Sequence, residues 1–267
     1  MEGLKKMKYF LIVFCLIIFS ISACSEEKAG KNPEVQENKD TALDIYLVIG
    51  QSNMAGRAEI EIQDKDSLAT VFLYTGIAGK EWEKAANPLN KYSTVRKELS
   101  MQKLGPAYTF ARKMAEANAG KQIGLVVNAR GGTALSEWMP GENLYNEAVK
   151  RAKAAMKFGT ITGVIWHQGE GDVSKTDVYL DRVKLMIEKL RADLGNSALP
   201  FVAGQLSEAR PERKIFNLMI LQLPLKVAKT GVATSEGTAT IDSTHFDSPS
   251  QRLLGERYAA EMLKLLK

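Results

Sequence analysis

The sequence predicts an α/β fold built on a parallel sheet with helices covering both faces. Three observations predict it. Short apolar runs alternate along the chain with longer amphipathic segments. The apolar runs are continuous rather than alternating, as in strands buried on both faces. Of the 267 residues about 225 look globular, and 45% of the chain is hydrophobic, which suits one domain of generous size.

In chain order, the predicted strands are residues 45–49, 70–74, 123–128, 163–167, 201–206 and 231–234. The first, Ile45-Tyr46-Leu47-Val48-Ile49, consists of β-branched and bulky residues that suit a pleated, buried surface. The predicted helices are 106–117, 144–157, 177–194, 215–229 and 249–266. In the third of these, Val183, Ile187, Leu190 and Leu194 recur at helical spacing beside charged residues. Gly120, Gly159, Gly195 and Gly231 are plausible stops. Residues 81–104 are irregular and read as an insertion near the functional edge. There is no internal repeat.

Two segments precede this domain. A short basic stretch and an apolar core from Tyr9 to about Ile21 fit a secretory signal and are short for a bilayer span. The end of that segment, Ile21-Ser22-Ala23-Cys24, resembles a bacterial lipobox. The resemblance implies cleavage before Cys24, lipidation of its thiol and a place in the bacterial cell envelope, as an outer-membrane or cell-surface lipoprotein. Residues 25–43 are polar and read as a flexible tether. The expected organisation is therefore a signal at 1–23, a lipid-anchored tether at 24–43 and one domain at 44–267. Cys15 lies in the signal, so that domain has no disulfide and no thiol nucleophile. The net charge is +5, of which the signal contributes +2. The remaining cations are interspersed with acids, which does not point to nucleic acid as a partner.

A parallel sheet gathers its functional groups at the strands' carboxyl ends. Three such ends carry unusual residues. Ile49 is followed by Gly50-Gln51-Ser52-Asn53-Met54, Asn128 by Ala129-Arg130-Gly131-Gly132, and His167 by Gln168-Gly169-Glu170. A serine hydroxyl is a weak nucleophile and needs an adjacent base. The chain has only two histidines, His167 and His245. His245 lies in Asp242-Ser243-Thr244-His245, a spacing that lets the Asp242 carboxylate reach the ring nitrogen in a turn. His167, at a strand end behind Trp166, is the rival base, and Glu170 the rival orienting carboxylate. The Ser52 amide, the Gly131 amide and the Gln168 side chain are candidate oxyanion donors. Each has a plainer reading: Gly131-Gly132 as a tight turn, Gln168 as a buried amide tying loops together. Two histidines are too few for a typical catalytic zinc site, and no cofactor is called for. A paired-carboxylate glycosidase would leave the serine, histidine and glycines without roles.

The ordered set resembles the SGNH hydrolase superfamily, in its sialate O-acetylesterase and acetylxylan esterase branch (family-six carbohydrate esterases). The matching pieces are Gly50-Gln51-Ser52-Asn53-Met54, Leu104-Gly105-Pro106, Gly131-Gly132-Thr133 with Trp138, Trp166-His167-Gln168-Gly169-Glu170-Gly171-Asp172 and Asp242-x-x-His245. The resemblance covers roughly 44–267. It implies a flavodoxin-like three-layer α/β/α fold and serine-dependent removal of O-acetyl groups from carbohydrates such as xylan or sialic acid. Ser52 would be nucleophile, His245 base and Asp242 its partner. Ser52, Gly131 and Gln168 would form the oxyanion hole, with Glu170 and Asn53 in support. Gln168 stands where many relatives have asparagine. Trp138 could stack on a sugar ring, and Arg130 and Arg57 could pair a substrate carboxylate. In the bland alternative, Trp138 packs under a loop and the arginines hold backbone carbonyls. Two other functions stay open at this point: glycan binding without turnover, and acyl transfer by the same triad.

Overall fold

The computed structural model describes residues 42–267. The lipobox, Cys24 and nearly all of the tether lie outside the described residues.

The strands are β1 (Leu43–Gly50), β2 (Val71–Ile77), β3 (Lys80–Lys84), β4 (Ile123–Ala129), β5 (Gly159–His167), β6 (Phe201–Gly204) and β7 (Thr230–Ala233). The helices are α1 (Ser52–Ala55), α2 (Ala107–Ala117), α3 (Asn143–Ala155), α4 (Thr176–Asp193), α5 (Arg213–Ile220), α6 (Leu223–Lys226) and α7 (Ser248–Leu265). The seven strands form one sheet in the order β3-β2-β4-β1-β5-β6-β7. All neighbours are parallel except the β2–β3 pair at the edge.

The continuous apolar runs are explained by two covered faces. Ile45, Leu47 and Ile49 of β1 pack into a core with α3, α4 and α5, whereas Tyr46 and Val48 point into the opposite core with α2 and α7. Tyr46 meets Phe110 of α2 edge-to-face at 5.1 Å. Each fully buried aliphatic side chain of this kind contributes roughly 1.5–3 kcal/mol.

Two elements differ from the sequence expectation. Residues 81–104 are not irregular throughout, because Lys80–Lys84 forms an antiparallel edge strand. Its Lys-Glu-Trp-Glu-Lys pattern suits a charged sheet edge, and Trp82 anchors it against Tyr74 with ring centroids 5.2 Å apart. The helix expected at 215–229 is broken into α5 and α6. Pro224 sits in the first turn of α6, where its missing N–H is tolerated, and could not continue α5.

Candidate active site

β1 is the strand at which the chain changes direction across the sheet, with β4 and β2 on one side and β5, β6 and β7 on the other. Crevices form outside the carboxyl ends of strands at such a point. Gly50 pairs with Ala129 on one side and with His167 on the other, so the three unusual strand ends are immediate neighbours. Gly50 has φ +137°, and a Cβ there would lie 2.3 Å from the His167 carbonyl oxygen. Only glycine lets β1 turn into Ser52 so close to β5.

Ser52 opens α1 and is 6% exposed. His245 Nε2 lies 3.0 Å from its Oγ, and His245 Nδ1 lies 2.6 Å from Asp242 Oδ2. With the ring proton on Nδ1, His245 donates to Asp242 and accepts from the serine. Ser243 adopts a left-handed conformation with φ +62°, and the turn lets Asp242 Oδ1 accept the amides of Thr244 at 3.0 Å and His245 at 2.7 Å. Partial burial alone would raise the Asp242 pKa. The hydrogen bonds from the His245 ring and the two amides, with the charge of His245, outweigh it and hold the carboxyl at about 2.

The histidine loop is gripped from two sides. Asn53 donates to the Thr244 carbonyl at 3.1 Å and to Glu170 Oε1 at 2.6 Å, and its oxygen accepts the Phe246 amide at 3.1 Å. Arg213, 3% exposed, donates to the Ser243 carbonyl at 2.8 Å, Thr244 Oγ1 at 3.0 Å and Ser207 Oγ at 2.6 Å. Arg213 was missed at the sequence level, where one arginine in an amphipathic stretch carries no distinguishing signal.

A cavity of about 590 Å³ opens beside Ser52 and His245. Gly131 forms its wall: a Cβ there would stand 3.3 Å from Ser52 Cβ and 2.5 Å from Arg57 Nη2. Among the described residues, the backbone amides of Ser52 and Gly131 meet no protein acceptor. Arg57 lines the cavity, its guanidinium donating to the carbonyls of Gly56 at 2.6 Å and Met101 at 3.0 Å. Burial lowers its pKa from the usual arginine value. Gln51 and Lys97 also line the cavity, and the Gln51 amide oxygen is buried without a protein partner. Adjacency to Ser52 could have flagged Gln51; nothing in the sequence flags Lys97.

Several expected residues lie elsewhere. Gln168, 1% exposed, directs its amide nitrogen to the Thr133 carbonyl at 3.1 Å and to Asp172 Oδ2 at 2.7 Å, and its oxygen accepts from Tyr179. It ties loops together beneath the cavity and does not turn its donors into it. Trp138 is 0% exposed, donates to Thr133 Oγ1 at 3.0 Å and packs edge-to-face on Trp166, so it offers no face to a sugar. Arg130 donates to the Val95 carbonyl and lines an adjoining hollow. His167 is fully buried with Nδ1 3.0 Å from the Tyr258 hydroxyl. Burial lowers its pKa, with the nearby Arg213 charge acting in the same direction and Glu170 opposing. Glu170 lines the cavity and accepts from Asn53, and it makes no hydrogen bond to His245 itself.

A match to the family model described as "Carbohydrate esterase, sialic acid-specific acetylesterase" spans residues 42–264. The chain belongs to this carbohydrate esterase family. A protein from Arabidopsis thaliana, named a probable carbohydrate esterase, is 30% identical over 230 residues, covering 79% of this chain and 86% of its own. The X-ray structure of the Arabidopsis thaliana protein superposes with a TM-score of 0.75 at 27% identity, covering 84% of this chain and 98% of that one. NanS shares the fold with a TM-score of 0.67 at 17% identity over 84% of this chain and 97% of its own. A carbohydrate acetylesterase from Xanthomonas citri does so at 0.60 and 23% identity, over 82% of this chain and 55% of that one. The protein is a carboxylic-ester hydrolase of the SGNH type, with its three-layer sheet and helices as the sequence resemblance implied.

Proposed function

We propose that this esterase removes O-acetyl groups from carbohydrates through an acyl-serine intermediate on Ser52. The observation that carries the reading is the continuous line from Ser52 Oγ to His245 Nε2 at 3.0 Å and from His245 Nδ1 to Asp242 at 2.6 Å, opening on the cavity. In the first step Ser52 Oγ attacks the acetyl carbonyl carbon while His245 Nε2 takes the hydroxyl proton. Negative charge gathers on the carbonyl oxygen, where the amides of Ser52 and Gly131 are available to receive it. Collapse breaks the bond to the sugar oxygen, which takes the proton back from the imidazolium. Water then repeats the sequence against the acetyl-serine and releases acetate. Asp242, ionised down to about pH 2, holds the imidazole in the required tautomer and stabilises its charged form.

We also infer that the protein acts at the bacterial cell envelope, held there through Cys24 on the polar tether; the motif Ile21-Ser22-Ala23-Cys24 supports this. Loss of membrane association on Cys24→Ala checks it.

The test of function is acetate release from p-nitrophenyl acetate, acetylated xylan and O-acetylated sialic acid. Release from a natural substrate is expected and identifies the sugar. A folded protein that releases acetate from none of the three, yet binds glycans, overturns the reading in favour of a binding module.

A further inference from the structure

A second cavity of about 490 Å³ adjoins the first and shares Lys97 and Met101 with it; Arg96, Glu98 and Arg130 complete its lining. Three cations against one carboxylate make it strongly positive. The path from the nucleophile is short: a Cβ on Gly131 would lie 3.3 Å from Ser52 Cβ, and a Cβ on Gly132 would lie 3.3 Å from Lys97 Nζ.

The two arginines are anchored. Arg96 donates from Nε to the Lys91 carbonyl at 2.9 Å and from Nη1 to the Lys97 carbonyl at 3.2 Å. Arg130 donates from Nη1 to the Val95 carbonyl at 2.8 Å. Each guanidinium is thus fixed by part of its donor set, with Nη2 left over. Some cations elsewhere sit on carboxylates, such as Lys91 on Glu83, Lys175 on Asp172 and Arg252 on Asp64, and others, such as Arg151 and Arg191, rest on backbone carbonyls alone. Among the described residues, no carboxylate lies within 4.0 Å of the charged nitrogens of Arg96, Lys97 or Arg130. Fixed guanidinium groups without a protein counter-ion suit a planar or tetrahedral anion, which gains charge-assisted hydrogen bonds there. A neutral sugar hydroxyl would gain only the smaller neutral bond.

We propose that this second cavity is an anion subsite, binding a carboxylate or sulfate on a sugar unit neighbouring the acetylated one, so that the enzyme selects acidic glycans. The placement of the acetyl group at Ser52 rests on the function proposed above, whereas the anion site itself does not.

The test is calorimetric titration of the full-length protein with three de-acetylated oligosaccharides of equal length: a neutral xylo-oligosaccharide, the same carrying one glucuronate, and the same carrying one sulfate. An acidic oligomer is expected to bind about tenfold tighter than the neutral one, the size of one charge-assisted bond. The margin should shrink with added salt and vanish in the Arg96→Gln/Arg130→Gln double variant. Arg96→Gln alone, on a surface segment, should cut it severalfold and serves if the double variant does not fold. Preference for glucuronate or for sulfate supports the subsite and names the anion. Equal affinity for all three, or a preference that survives both variants, overturns it. Acetate release from p-nitrophenyl acetate, acetylated xylan and O-acetylated sialic acid, measured on the same protein, separates the two claims. Acidic preference without any release contradicts the proposed function alone; release without acidic preference contradicts the subsite alone.

Discussion

Replacing Asn53 by alanine tests whether the nucleophile and the histidine loop are one mechanical unit. Asn53 is fully buried and follows Ser52 directly. Its amide supplies a charge-assisted bond to Glu170 at 2.6 Å and neutral bonds to Thr244 and Phe246 at 3.1 Å each. The three partners also fix which amide atom is oxygen and which nitrogen. The first bond contributes about 1.5–3 kcal/mol and the other two about 1 kcal/mol each, so Asn53→Ala should destabilise the protein by about 3.5–5 kcal/mol. Part of that cost is the Glu170 carboxylate left buried without its donor. The same change frees the loop carrying His245. A misplacement of about 1 Å at a reacting group costs on the order of a hundredfold, and kcat/KM should fall by that amount in conditions where the variant is still folded. Urea denaturation gives the first quantity and initial rates of acetate release the second. A stability loss under about 1 kcal/mol, or a full loss with unchanged kcat/KM, would refute the reasoning.

Gly131→Ala should lower kcat/KM well before it lowers stability. Its new methyl group meets the movable end of Arg57 and the Ser52 side chain rather than fixed backbone, so a melting temperature reduced in step with activity would contradict this. Asp242→Asn should lower kcat by about ten-thousandfold at neutral pH, where the native carboxylate is ionised, as the tautomer it holds is lost; a variant keeping more than about a tenth of the native kcat would argue for another role. His167 contributes to the pH dependence of stability just below neutral pH. Burial keeps its folded pKa below the ordinary 6.5, so the unfolded chain binds the proton more readily and stability falls as pH drops below about 6.5. His167→Gln should flatten that part of a plot of melting temperature against pH, and an unchanged slope would assign it to other groups.

The parts legible in the sequence were those written as local patterns. Continuous apolar runs gave the parallel strands, and a parallel sheet necessarily opens Gly50, Ala129 and His167 on one edge, where the structure pairs them. The Asp242-to-His245 contact was legible because it closes within one turn. What the sequence concealed depends on packing between distant segments. Gln168 and Trp138 stand near the site in sequence, but their directions are set by Asp172 and Thr133 on neighbouring loops and by Tyr179 on α4. Arg213 and Lys97 reach the site from segments whose charges look like ordinary solvated surface. Strand β3 was concealed by its charged edge, although Trp82 within it was a signal. Pro224 announced the break between α5 and α6 and was overlooked inside a long apolar stretch.

The central claim is that Ser52 carries the acetyl group between sugar and water. Rapid acid quench of the working enzyme, followed by mass spectrometry of the peptide containing residue 52, tests it most directly. A population heavier by one acetyl group, located on Ser52, is expected, and it should disappear in Ser52→Ala together with all but a small residue of acetate release. Acetate release with no adduct at Ser52, and a Ser52→Ala variant retaining more than about a tenth of the activity, would contradict it.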